Sequence, residues 1–254
     1  MQIDGEGYLS MRLTESVRAL LQFTTIIPLG RTAPFEAFAE RIWLYPLAGY
    51  VTGCIAGAVF WALPVPPLAR AAIAIGILFL ITGCNHLDGL MDLGDGLMAH
   101  GSRERRIRAL TDRTIGTGGI ALGMTITLIS VGSLTSLTSP AIGFGALILS
   151  EVAGKYAMAV MTIFGRPFHD GLHAALHLKT RPWFIIPATF LFIPAVWLCA
   201  GPLQFLAVII GAITVPLSLI YVAGRLFGGV NGDVTGASGE ITRAVVLVIM
   251  VSMV

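Results

Sequence analysis

The sequence predicts an all-α, polytopic transmembrane helical bundle with about six or seven spans and an amphipathic N-terminal helix. Three observations carry that expectation: 56% of the 254 residues are apolar, only 12% are charged, and the mean hydropathy is +0.85. All three lie far outside soluble averages, so lipid is the expected solvent. Net charge says little, because 16 Lys and Arg against 14 Asp and Glu leave only +2, and nothing marks a nucleic-acid binder. Cys54, Cys84 and Cys199 stand singly without CxxC spacing, which argues against a disulfide framework or a zinc site. The start, Met1–Gly7, carries Asp4 and Glu6 rather than a basic segment, so no cleavable signal peptide is expected.

The elements follow in chain order. Tyr8–Ile27 sets Leu9, Leu13, Val17, Leu20 and Leu21 against Arg12, Glu15 and Arg18, the pattern of a helix lying on a membrane surface. Crossing about 30 Å of hydrocarbon takes roughly 20 apolar residues in a helix. Such stretches occur at Ile42–Leu63, Leu68–Cys84, Ile115–Leu137, Ala141–Phe164, Trp183–Ala200 and Leu203–Gly224. Leu68–Cys84 is short and is expected to continue into the residues after it. A seventh stretch, Ala244–Val254, has only 11 residues, or about 16 Å of helix, and spans only if its helix begins well before Arg243.

Fourteen of the 16 basic residues fall before the first span or in alternate loops, the exceptions being Arg70 and Lys155. Retention of positive charge makes that face cytoplasmic. Every acidic residue except Glu151 is placed there too, which topology alone does not require. The loops 85–115, 165–182 and 225–243 are therefore expected to build a cytoplasmic site. With no repeat and no linker, residues 1–254 read as a single integral membrane domain.

The most informative segment is His86–Gly96 (HLDGLMDLGDG), where Asp88, Asp92 and Asp95 are spaced four and three apart. On a helix they lie within about 60° of one another. Three converging carboxylates repel unless a cation sits between them, and hard oxygen ligands suit Mg²⁺. Gly89, Gly94 and Gly96 each cost a helix about 1 kcal/mol relative to Ala, which suggests that something bulky approaches the backbone. The bland alternative is a solvated acidic loop.

Downstream, Arg103, Arg105, Arg106 and Arg108 offer forked donors for phosphates, although positive-charge retention explains such a cluster equally well. Asp112 suits a metal ligand and Arg113 a phosphate contact where the next span begins, with a glycine-rich turn as the alternative. Glu151 and Lys155, four apart, suit an intramembrane ion pair, functional or structural. His169, His173 and His177 repeat every four residues, but beyond Asp170 no carboxylate or Cys completes a ligand set, which favours an interfacial helix with polar contacts. Finally, Asp233 and Glu240 in the glycine-rich run Gly228–Glu240 can complete a site on the same face.

Taken together these residues carry a resemblance. Phe23-Thr24 with Pro28, the run Tyr45–Gly49, the His86–Gly96 segment with Asp112, Ile115-Gly116 and Gly119, and Gly228–Ala237 with Glu240 resemble the cobalamin synthase family, also called adenosylcobinamide-GDP ribazoletransferase, from about Ala19 onward. Departures are Cys84-Asn85 where small or apolar residues are expected, Thr111 where Lys is frequent, and Gly118 where an aromatic is common. The resemblance implies the last assembly step of cobalamin synthesis at the cytoplasmic (cell inner) membrane. A hydroxyl of α-ribazole, or of its 5′-phosphate, attacks the phosphate on the corrinoid arm of adenosylcobinamide-GDP, and GMP leaves.

The expected parts are then Asp88, Asp92, Asp95 and His86 as catalytic residues, and Mg²⁺ held by Asp88, Asp92, Asp95 and Asp112. Arg103, Arg106, Arg113, Lys155, Asp233 and Glu240 are expected on the substrates. Three alternatives stand beside this reading. CDP-alcohol phosphotransferases share the chemistry, but their Asp-Gly-x-x-Ala-Arg signature is absent. Asn85, Asp88 and Asp92 imitate a motif of intramembrane prenyltransferases, which usually repeat it, and a transporter would use Glu151–Lys155.

Overall fold

The computed structural model describes residues 5–137 and 139–252, and side chains from Leu13 onward; Asp4, Glu6 and Arg12 lie outside the described side chains. Twelve α-helices follow in order among the described residues: α1 Gly5–Thr24, α2 Phe35–Ala39, α3 Tyr45–Ala62, α4 Pro67–Ile81, α5 Asn85–Met98, α6 Arg103–Leu110, α7 Thr117–Ser136, α8 Pro140–Phe164, α9 Leu172–His177, α10 Ile185–Val196, α11 Pro202–Leu226 and α12 Gly232–Ser252. Helices α3, α4, α8 and α11 carry Pro in their first two positions, where its missing N–H has no intrahelical partner to lose. The single β pairing among the described residues is a parallel bridge between Pro167 and Val230.

The chain is a multi-pass membrane protein. Five helices are long and apolar enough to cross a bilayer: α3 with the short turn before it, α7, α8, α11 and α12. Leu80, Leu128, Phe190, Leu203 and Tyr221 stand exposed on the outside of the bundle, an arrangement that lipid tolerates and water does not. Helix α8 is the central post, buried over nearly its whole length. Helix α3 lies against it through Gly49, Gly53 and Gly57, whose absent Cβ atoms would fall 2.6–2.8 Å from atoms of Val152, Glu151, Ile148 and Phe144. Small residues let two helix backbones approach closely where lipid supplies no hydrophobic drive.

Three expectations need correction. Leu68–Cys84 does not continue straight into the residues after it: α4 ends at Ile81 and α5 leaves at 94°. Gly83 and Cys84, both at positive φ (63° and 58°), make the corner, and left-handed residues end helices. A right-angle bend lays α5 across the end of the bundle instead of along the span. Second, Trp183–Ala200 is α-helical only over Ile185–Val196. Pro194 removes a backbone donor near its end, and the chain then tightens, with Leu198 N–H donating to Ala195 O and Cys199 N–H to Val196 O.

Third, the glycine-rich acidic run before Ala244 is not a loop from Gly232 onward. Helix α12 starts there and has 21 residues, about 32 Å, so the condition for the last span is met. Asn231 caps it, its Oδ1 accepting the Val234 N–H at 3.1 Å. Arg243 and Glu240 consequently lie inside the bundle, 2% and 3% exposed, and not on the charged face. Helix α1 overlaps most of the expected amphipathic stretch, starting earlier and ending at Thr24, and buries Ser16, Ala19, Leu20 and Thr24.

Candidate active site

Four segments converge on one end of the bundle around a cavity of about 500 Å³. Helix α5 supplies Asp88 and Asp92, the turn before α7 supplies Thr111, Asp112 and Arg113, the loop before α9 supplies His169, and the start of α12 supplies Asn231 and Asp233. Glycines set the approach. A Cβ on Gly89 would fall 2.7 Å from the Asp233 carbonyl oxygen, so α5 and the first turn of α12 touch backbone to backbone and bring Asp233 beside Asp88 and Asp92. The bulky group anticipated against these glycines is a neighbouring helix. On the other side the Pro167–Val230 bridge, with Val230 N–H donating to Arg166 O at 2.8 Å, ties the His169 loop to the turn ahead of α12.

The cavity wall gathers carboxylates. Burial, and then the carboxylates of Asp233, Asp88 and Asp95, push the Asp92 carboxyl up to about 7, because ionising it adds a negative charge beside others in a partly desolvated place. Hard oxygen donors of this kind fit Mg²⁺. Among the described residues no three His, Cys, Asp or Glu side chains stand as a ready-made ligand cluster; the carboxylates are spread along the cavity wall.

Asp95 behaves differently from its two neighbours. Its Oδ2 accepts the Gly116 N–H at 2.7 Å and its Oδ1 the Gly119 N–H at 2.8 Å, so it caps the free N-terminal amides of α7 and does not line the cavity. Of the three aspartates expected on one face, Asp88 and Asp92 line the cavity beside Asp233, while the glycine-rich start of α7 takes Asp95. Asp112 lines the cavity while accepting Thr114 Oγ1 at 2.7 Å and Thr114 N–H at 3.0 Å, bonds that hold its carboxyl below the usual range.

The arginines divide as well. Arg113 lines the cavity, whereas Arg106 donates to the carbonyls of Leu97 (2.9 Å) and Gly96 (3.4 Å) at the end of α5, and Arg103 lies against Gly228.

Behind the cavity the charges expected of one ion pair are re-partnered. Glu151 pairs with Arg243 at 3.2 Å and accepts Thr52 Oγ1 at 2.6 Å. Arg243 also pairs with Glu240 and stacks over the Phe79 ring. Lys155 Nζ lies 3.2 Å from His86 Nδ1, and among the described residues the ion-pair contact to Glu151 comes from Arg243 of α12 and not from Lys155. Lys155 and Glu240 do not line the cavity; Lys155 contacts His86, which lines an adjoining chamber.

A match to the family model of cobalamin-5-phosphate synthase covers residues 16–251, every residue just described included. The chain belongs to that family. It is similar to proteins named adenosylcobinamide-GDP ribazoletransferase: 35% identical to that of Methanosarcina barkeri over 90% of this chain and 88% of the relative, 31% to that of Methanocella arvoryzae over 94% and 96%, and 35% to that of Thermococcus gammatolerans over 90% and 94%. No solved structure matches. Family membership sets aside the phosphotransferase, prenyltransferase and transporter alternatives.

Sequence reasoning passed over Asn231, whose side chain caps α12 and donates to Asp233 Oδ2 at 2.6 Å, and Thr52. Asn231 precedes Gly232-Asp233, a helix-start signal that was available. For Thr52, an isolated hydroxyl in an apolar span, no signal existed. His173 and His177 make the polar contacts expected of them, to Gly165 O at 2.8 Å and Thr162 O at 2.9 Å.

Proposed function

We propose that the chain transfers the corrinoid-bearing phosphate of adenosylcobinamide-GDP to a hydroxyl of α-ribazole or its 5′-phosphate, releasing GMP, at the cytoplasmic face of the cell inner membrane. The observation that carries it is the single cavity on which Asp88, Asp92, Asp233, Asp112 and Arg113 meet, in a chain of this family. Arg113 offers the cavity's forked cationic donors and would orient the diphosphate. Asp88, Asp92 and Asp233 would hold Mg²⁺, with Asp112 within the same wall. Bound there, the ion would neutralise charge developing on the transferred phosphate oxygens.

The residues of the chain do the rest. An ammonium at Lys155 has only donors, so its contact with His86 makes Nδ1 the acceptor and leaves the ring proton on Nε2. His86 is then a hydrogen-bond donor, and the proton of the attacking hydroxyl passes to a cavity carboxylate. Glu151, Arg243 and Glu240 keep the charges near Lys155 balanced.

In purified protein with Mg²⁺, Asp88→Asn and Asp92→Asn are each expected to lower the rate of GMP release at least about a hundredfold while eluting like the wild type. A chelator should have the same effect. Full activity in chelator, or wild-type turnover in both variants, would remove the carboxylate–metal part of the proposal.

A further inference from the structure

A second chamber, of about 310 Å³, opens beside the acidic one. The two share Leu172, His173, Gly232 and Asp233, so the first turn of α12 is a common wall. Their chemistry differs sharply. Where the first carries four aspartates and an arginine, the second is walled by Phe23 from α1, Tyr45 from α3, Met158 from α8 and Leu176 from α9. Tyr45, Met158 and Leu176 are almost wholly buried and form its inner wall, while exposed Asn85, Leu172 and Gly232 lie at its mouth. Its polar groups, His86 and His173, sit among these walls and among hydroxyls and an amide, with no arginine, lysine or second carboxylate beside Asp233 in the lining.

Such a chamber is a poor place for a diphosphate and a good one for a planar, uncharged ring. Aromatic faces and a thioether pack favourably on flat π systems, and His86, whose Nδ1 faces Lys155, keeps its Nε2 for a hydrogen bond at the ring's edge. The volume lies at the lower end of small-molecule sites, which admits a fused two-ring base on a ribose and excludes the donor's macrocycle. Asp233 marks where the chambers meet.

We infer that this chamber binds the aromatic base of the acceptor nucleoside and presents its ribose hydroxyl, across the Asp233 wall, to the diphosphate in the acidic cavity; the inference rests on the function proposed above. The hydroxyl oxygen forms the new bond to the corrinoid-arm phosphorus. The P–O bond to GMP breaks, with its electron pair leaving on GMP, and the hydroxyl proton goes to a cavity carboxylate. The two substrates thereby meet at one phosphorus from separate compartments, an arrangement compatible with in-line displacement.

The test uses the full chain in detergent with Mg²⁺ and benzimidazole as a probe of the chamber. Benzimidazole should inhibit GMP release in competition with the acceptor nucleoside and not with adenosylcobinamide-GDP. Filling the chamber with Leu176→Trp should raise the acceptor KM and the benzimidazole inhibition constant at least about tenfold, leaving the donor KM within about twofold, the scale by which a few methylenes of misfit discriminate ligands. Met158→Trp makes the same change from another wall should the first variant fail to fold, and the inhibition pattern of the wild type stands without either. Competition of benzimidazole against the donor, or an unchanged acceptor KM in a folded filled variant, overturns the inference while leaving the transferase reading intact. A wild type that releases no GMP from donor plus acceptor overturns that reading itself.

Discussion

At Asp92, burial and three neighbouring carboxylates push the carboxyl up to about 7, and this links proton and metal. A cation entering the cavity favours the ionised form and expels the proton. If Mg²⁺ binds there as proposed, its apparent affinity should strengthen as pH rises toward the raised value, where the proton competes, and flatten above it, once the carboxyl is ionised. Titration calorimetry in two buffers of different ionisation enthalpy reads the released proton directly. The pH slope should vanish in Asp92→Asn, and a wild-type affinity independent of pH would contradict the arrangement.

The same helix shows the limit of reading residues by spacing. The four-and-three spacing placed Asp88, Asp92 and Asp95 on one face of a helix, and that helix exists. It did not reveal that Gly116 and Gly119, more than 20 residues on, would offer their amides to Asp95. Spacing fixes the face of an element; which neighbour reaches that face is a tertiary fact.

Among the elements, α5 decides the site, and glycine decides where α5 lies. Gly89 touches the backbone of Asp233, and Gly94 touches Gly118, where an added Cβ would fall 2.6 Å from a carbonyl oxygen. Gly89→Ala should force α5 and α12 apart, lowering both the melting temperature in detergent and the rate of GMP release. Gly76→Ala is the control: α4 leaves open space there, so the variant should melt at or above the wild type, given alanine's helix advantage of about 1 kcal/mol. Equal behaviour of the two would mean that close packing at Gly89 does not position Asp233. The sequence flagged these glycines as contact points but not the contacting partner. It also missed the corner at Gly83-Cys84, because a non-glycine residue at positive φ leaves no compositional mark.

On the scale of the whole molecule, composition and apolar stretches were enough for the fold class, since only helices or closed barrels satisfy the backbone in lipid. The inner charges were less legible. Glu151 and Lys155 look like a pair in sequence, yet Arg243, 92 residues away, takes the carboxylate. Assembled, α8 and α12 place a balanced polar layer behind two chambers that share one wall, one acidic and one aromatic.

On the proposed function, this end of the bundle joins two substrates at one phosphate. Purified protein with Mg²⁺ is given adenosylcobinamide-GDP with and without α-ribazole or its 5′-phosphate, and GMP release is followed beside formation of the corresponding cobalamin. GMP should be released only when the acceptor is present, in step with cobalamin formed. Acceptor-independent release, or no release from a folded preparation that instead consumes CDP-diacylglycerol or a prenyl diphosphate, would contradict it.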